Sequence, residues 1–192
     1  GYPASICASI NEVVIHGIPS SKQILKDGDI ISIDIGANYK GYHGDCARTW
    51  PCGNVKSDRL KLIEVTEQSF FEGLKYAHPG NRLSDISHAI EMYAKKFNYG
   101  VVRDFTGHGV GSKLHEDPAV PNYGKEGMGP VLRKGMTLAI EPMINMGTYK
   151  VKILADGWTT ITSDHSPSAH YENSIVITDN GYEILTKIKE ND

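Results

Sequence analysis

Between Ile31 and Gly36, Ile31, Ile33 and Ile35 alternate with Ser32 and Asp34, the two-residue period of a strand with one apolar face. The pattern predicts a strand over 29–35, a turn at 37–41 and a second strand over about 41–50. The period then changes. Leu60, Ile63, Phe70, Phe71 and Leu74 fall at helical spacings behind Ser57-Asp58, which can cap a helix, and Pro79-Gly80 closes it. A second helix is predicted with Ser84 as cap, Ile86, Ile90, Tyr93 and Phe97 on one face, and Gly100 as stop. Strands resume at about 101–106, 137–144, 149–154, 158–162 and 172–178, while Gly and Pro are too frequent over 107–135 for a long helix. Helices grouped between runs of antiparallel strands indicate an α+β fold.

Two stretches echo one another. "KDGDIISIDIG" (26–36) lies over "RKGMTLAIEPM" (133–143), each with a Gly that opens a strand and a carboxylate, Asp34 or Glu141, at the same distance behind it. Each half then repeats His-x-carboxylate, as His43-Gly44-Asp45 and His170-Tyr171-Glu172. Two copies of one layout imply two related halves whose carboxylates converge. Four carboxylates in one pocket repel one another and lose solvation, and raised pKa values or bound cations are the remedies. A pair of divalent ions bridged by carboxylates is a recurring arrangement in hydrolases. "TGHGVG" (106–111) supplies an imidazole, His108, between glycines. A phosphate-cradling loop would need a helix directly after the glycines, and Pro118 and Pro121 follow instead. His16, at the end of "VVIHGIP", and His115, in "LHEDP", stand in settings suited to a site, whereas Glu116 and Asp117 read as loop carboxylates.

Composition narrows the choice further. A chain of 192 residues with net charge -3 and 22% charged residues is read as a single domain over 1–192, without the basic runs of a nucleic-acid surface. No apolar stretch is long enough for a membrane span. Three cysteines, Cys7, Cys46 and Cys52, are read as reduced thiols of a cytoplasmic protein. "GYPASICASINEVVIHG" carries no start methionine and no signal peptide; it reads as beginning inside a strand, with a preceding segment expected to be missing.

Asp34, Asp45, His108, Glu141 and Glu172 together resemble the metal-binding pentad of the methionine aminopeptidases. These are pita-bread metallopeptidases, two pseudo-symmetric halves around an antiparallel sheet with helices outside. The resemblance runs from "GYPASICASINEVVIHGIP" through "GHGVG", "LHEDP" and "IEPM" to "HYENSIVITDNG", and it is to the short bacterial (type I) form. It implies that Asp34 chelates a second metal, that Asp45 and Glu172 bridge the pair, and that His108 and Glu141 complete the first metal's shell. It implies further that Glu141 is the general base, that His115 contacts the scissile carbonyl and that His16 lies near the amide nitrogen beyond it. Tyr2, Cys7, Leu114 and Trp158 would line the methionine pocket, and carbonyls of Asn11, Val13 and Ser168 would hold Na or K. The ions implied are two of Co, Mn, Fe, Zn or Ni, with an oxygen-rich shell suited to Mn, Fe or Co. The substrates implied are N-termini of nascent polypeptides with a small second residue, cleaved by a monomer, with ribosome association left open. Leu114, Phe105 and His170 depart from the residues common in the family (Phe, Tyr and Gln). A prolidase-like peptidase and a non-catalytic module of the same fold are the alternatives.

Overall fold

The alternation around Asp34 does form a strand, and a longer one than its pattern predicts. In the computed structural model, which describes residues 1–187, β1 (Cys7–Ile10) and β2 (Val13–Ile15) precede β3 (Ile30–Tyr39) and β4 (Tyr42–Pro51). The turn between β3 and β4 is only Lys40-Gly41, both at positive φ (51° and 85°). That is the two-residue hairpin whose twist matches its strands, so β3 runs on through positions expected to be turn. Next come α1 (Ser57–Leu74) and α2 (Leu83–Lys95), then β5 (Gly100–Val101), β6 (Gly107–Gly109), β7 (Glu116–Val120) and β8 (Thr137–Ile140). The chain continues through β9 (Met143–Asn145), β10 (Val151–Ile153), β11 (Thr160–Thr162), β12 (Ser168–His170), β13 (Glu172–Ile177) and β14 (Tyr182–Ile184).

The main sheet has the order β1-β3-β4-β13-β8-β6-β7, with β14 also on β13; β10-β11-β2 and β12-β9-β5 form two small sheets. All of the pairings are antiparallel. The order β3-β4-β13-β8 reads the same when the two halves are exchanged, so the echo in the sequence is an echo in the sheet. Its turns agree as well. Gly28 (φ 90°) and Gly135 (φ 86°) each occupy the third position of a turn closed by Asp29 N donating to Lys26 O and Met136 N donating to Arg133 O, both at 3.1 Å. A positive φ there is the type II requirement that glycine meets without strain. This is the α+β pita-bread architecture.

Several boundaries differ from the pattern. The strand expected over 137–144 breaks at Glu141-Pro142, because Pro142 has no N–H for the ladder, and its second part, β9, joins β12. The strand expected over 101–106 shrinks to β5. β7 was hidden by Pro118, which survives because β7 is the sheet's edge. Helix α1 begins behind Lys56 with no side-chain cap, and Leu60 points outward. Helix α2 begins behind Arg82, whose N–H donates to Asp85 Oδ2 at 2.8 Å, while Ser84 accepts from Met128 N instead of capping. Phe70, Leu74, Ile86 and Ile90 bury the helices against Leu138, Ile140, Ile175 and Ile177. Among the described residues no helix is long and apolar enough to cross a membrane.

The helix pair is packed tightly at Gly73, where an added Cβ would meet Ile90 Cγ1 at 2.8 Å and Ile86 Cγ2 at 3.1 Å. Alanine gains about 1 kcal/mol of helix propensity, whereas overpacking costs about 1–3 kcal/mol. Gly73→Ala is expected to destabilise the fold by about 1 kcal/mol net. A urea midpoint above wild type would show that propensity wins and that the helices pack more loosely than described.

Candidate metal centre and its pocket

Strand register brings the charged residues together. Asp34 stands across from Ala47 and Gly36 from Asp45, while Ala47 also stands across from Glu172. Opposed residues in a ladder project to one face, so Asp34, Asp45 and Glu172 share a face. Asn173 pairs with Ile140, which makes Glu141 the next position opposite Glu172, and His108 pairs with Ala139 on that same face. Cys7 joins them across from Asp34. The break at Pro142 leaves Glu141 at the end of β8, buried with Asp45, His108 and Glu172.

The donor atoms fall into three overlapping triads, one of them Asp45, His108 and His115. Those of His108, Glu141 and Glu172 lie within 4.8 Å of one another, as do those of Asp34, Asp45 and Glu172. Glu172 is common to these last two. His108 Nδ1 lies 2.8 Å from the Gly109 carbonyl oxygen, to which it donates. Its Nε2 then carries the lone pair, 3.5 Å from Glu141 Oε1 and 3.8 Å from Asp45 Oδ2, the tautomer a metal-ligating imidazole needs. Among the described residues none of the four carboxylates pairs with a Lys or Arg side chain, and Glu172 Oε1 is buried without any hydrogen-bond partner. An oxygen-rich donor set with one imidazole and an orphaned carboxylate oxygen fits divalent ions.

Beside the triads opens a cavity of about 400 Å³ lined by Tyr2, Cys7, His16, Asp34, Leu114, His115 and Trp158, among others. Tyr2 stands edge-on to Trp158 at 5.3 Å, and His16 packs against Phe105 and Trp158. The Tyr2 hydroxyl donates to Gly17 O at 2.7 Å, fixing that wall. His115 stacks edge-on against His108 at 4.3 Å, at the mouth of the cavity. All four residues expected to line the pocket therefore meet there, with both histidines. Farther off, Ser168 N donates to Asn11 O at 2.8 Å, so two of the three segments expected to hold a monovalent ion touch, with Val13 at the start of the neighbouring β2. Cys46 faces the opposite side of the sheet from Asp45, and all three cysteines are free.

The model for "Metallopeptidase family M24" matches residues 1–179. The chain belongs to metallopeptidase family M24. It is 59% identical to the methionine aminopeptidase of Clostridium acetobutylicum, over 97% of this chain and 74% of that one. Its identity to methionine aminopeptidase 1 of Bacillus subtilis is 56%, over 98% of this chain and 75% of the relative. Among solved structures, the methionine aminopeptidase from Thermotoga maritima superposes with a TM-score of 0.94 at 49% identity, covering 95% of this chain and 74% of that one. The prolidase from Pyrococcus furiosus gives 0.76 at 25% identity, covering 97% of this chain and 50% of that one. As an M24 metallopeptidase the chain binds divalent metal, and the residues of this cluster are able to hold it.

Two residues that brace this cluster do not stand out in the sequence. Asn122, fully buried, donates Nδ2 to the Glu141 carbonyl at 2.9 Å and so fixes the backbone at the Pro142 break. Ser174 Oγ accepts from Asp45 N and donates to Asp45 O, tying β13 to β4 beside both carboxylates. Its place two residues after Glu172 on one strand face was the clue available.

Electrostatics show how the M24 pocket stands without metal. Burial, then the neighbouring Asp45, raises the Asp34 carboxyl to about 7. Burial also raises Asp45, and it lifts Glu141 and Glu172 well above the usual carboxylate range. The histidines move oppositely: burial lowers His16 and His108, and it brings His170 down to about 3.

A carboxyl whose folded pKa is raised contributes stability that is intact below its unfolded value and is lost as pH rises through the folded one. Histidines with lowered pKa lose theirs as pH falls below about 6.5. The carboxylates therefore dominate above that point. The metal-free chain is expected to melt progressively lower from pH 6.5 to 8, with a shallower decline in Asp34→Asn and in the metal-loaded protein. A flat profile for the chelator-treated wild type would mean that the carboxylates are not crowded as described.

Proposed function

We propose that the chain is a metal-dependent aminopeptidase that removes N-terminal methionine from nascent polypeptides, preferably where the second residue is small. The observation that carries this reading is the junction of overlapping donor triads with a pocket walled by Tyr2, Cys7, Leu114 and Trp158. Because Glu172 belongs to two of the triads, the site would hold two ions: His108 and Glu141 would hold a first, Asp34 a second, and Asp45 and Glu172 would serve both. Mn, Fe or Co suits such an oxygen-rich set. Carbonyls of Asn11, Val13 and Ser168 are the proposed place for Na or K. We take residues 1–192 to work as one domain, a cytoplasmic monomer. The prolidase-like alternative has less support, since the prolidase likeness stands at 25% identity.

The methionine side chain would enter the apolar slot, where the Cys7 thiol, raised to about 11 by burial and Asp34, stays protonated and acts as a wall. Bound divalent ions supply Lewis-acid polarisation and an acidified water at the first peptide bond. Glu141, at the broken end of β8, would accept a proton from the attacking water at its carboxylate. His115, at the cavity mouth, donates a hydrogen bond to the carbonyl oxygen as negative charge develops there. His16, held neutral by burial and by His115, lies beside the amide nitrogen that leaves. The aromatic wall of Tyr2, His16, Phe105 and Trp158 shields these groups from water.

Release of methionine from Met-Ala-Ser should require added Mn and should exceed release of leucine from Leu-Ala-Ser. A wild-type protein with neither metal-dependent activity nor a metal-dependent shift in melting would refute the assignment. His115→Ala should lose on the order of 10²-fold in kcat, as for one oxyanion donor, while its metal content is unchanged. Normal kcat in the metal-replete variant would remove His115 from the mechanism. Asp34→Asn keeps the shape and removes the charge, so activity and the second metal should both fall. Its chelator-treated form should melt no lower than chelator-treated wild type, because repulsion among the carboxylates is relieved.

A further inference from the structure

His170 lies at the centre of the fold with only 2% of its surface exposed. Its backbone is held from both sides: His170 N donates to Thr49 Oγ1, and Thr49 Oγ1 donates to His170 O, each at 2.9 Å. On β12 it pairs with Met143, two residues beyond Glu141. The ring's Nε2 is buried and has no hydrogen-bond partner. Such a group is costly in a native interior and calls for an explanation.

The nearest oxygen supplies one. His170 Nε2 stands 3.7 Å from Glu141 Oε2, while Glu141 Oε1 stands 3.5 Å from His108 Nε2. The carboxylate is thus divided, one oxygen toward the metal-ligating imidazole and the other toward His170. His170 is absent from the donor clusters gathered within 4.8 Å, so it stands behind Glu141 and not among the ligands. A small rotation of the Glu141 carboxylate would bring Oε2 to hydrogen-bond length of His170.

We propose that His170 is a positioning residue whose Nε2–H holds Oε2 of Glu141, leaving Oε1 as the oxygen directed at the metal centre. The role extends the proposed function, in which Glu141 is both ligand and base. Partners behind a metal ligand fix its orientation, and losing one typically costs 10–100-fold in metal affinity or activity. Asn122 holds the Glu141 backbone from the other side, so side chain and main chain would each have a dedicated partner.

Three measurements on the full chain test this. A long-range proton–nitrogen NMR spectrum of the metal-free and Zn-loaded protein should show the His170 proton on Nε2. A proton on Nδ1, leaving Nε2 bare, would overturn the proposal and point to a ligand instead. His170→Leu should lower kcat on Met-Ala-Ser and weaken Zn and Mn affinity, measured by chelator competition, each by about tenfold at unchanged KM. His170→Gln carries an N–H donor to similar reach and should keep both within about threefold of wild type. A leucine variant equal to wild type, or a glutamine variant as impaired as leucine, would sink the positioning role. If the wild type fails to cleave Met-Ala-Ser, the proposed function falls, and the NMR and metal-affinity arms still judge His170.

Discussion

Four carboxylates on one face of one sheet, with no Lys or Arg side chain paired to them among the described residues, set the terms for the rest of the molecule. Like charges in a dry pocket resist folding unless protons or cations neutralise them. Without metal, all four carboxyls are shifted toward their neutral form, with burial as the largest cause. With metal, the same crowding becomes affinity, because each carboxylate is already desolvated and held in place. The tight β4–β13 seam, the Ser174 clasp on Asp45 and the Asn122 bond to Glu141 serve to hold repelling groups together.

The halves of the chain meet at this constraint. A hairpin, β3-β4, delivers Asp34 and Asp45; a pair joined by a long excursion, β8 and β13, delivers Glu141 and Glu172. That excursion leaves the main sheet at Pro142 and returns at Tyr171, whose N–H donates to the Pro142 carbonyl at 3.2 Å. The strands β9 and β12 between those points pair with each other. The break that interrupts the ladder therefore sits between the two glutamates, where an intact ladder would leave no opening for ligands.

How far the sequence could be read follows from which forces are local. Gly28 and Gly135 marked matching strand openings because the type II turn before each strand needs a positive φ at one position, which glycine meets. Asp34 was conspicuous because it interrupts an apolar alternation. The helix starts were misplaced, since Ser57 and Ser84 are plausible caps but Ser84 is drawn off by Met128 N and Asp85 closes the helix instead. Strand β7 was invisible because only its position at the sheet edge makes Pro118 acceptable. Asn122 and Ser174 act through partners far along the chain, so their roles exist only in the fold. The residue types that the sheet gathers were legible; the residues that hold them together were not.

Around the carboxylates the imidazoles are kept neutral. His16, His108 and His170 all have pKa values lowered chiefly by burial, although His108 stands 3.8 Å from a carboxylate oxygen that would favour its cation. Charged imidazolium rings would pair with the carboxylates and compete with the metal for them. Neutral rings do the opposite: His108 offers a lone pair on Nε2 because Gly109 takes its proton on Nδ1. The apolar packing of Phe105, Trp158 and the sheet is thus an electrostatic device as well as a wall. Burial that keeps the histidines neutral leaves the carboxylate face of the sheet free for the divalent ions of the proposed function.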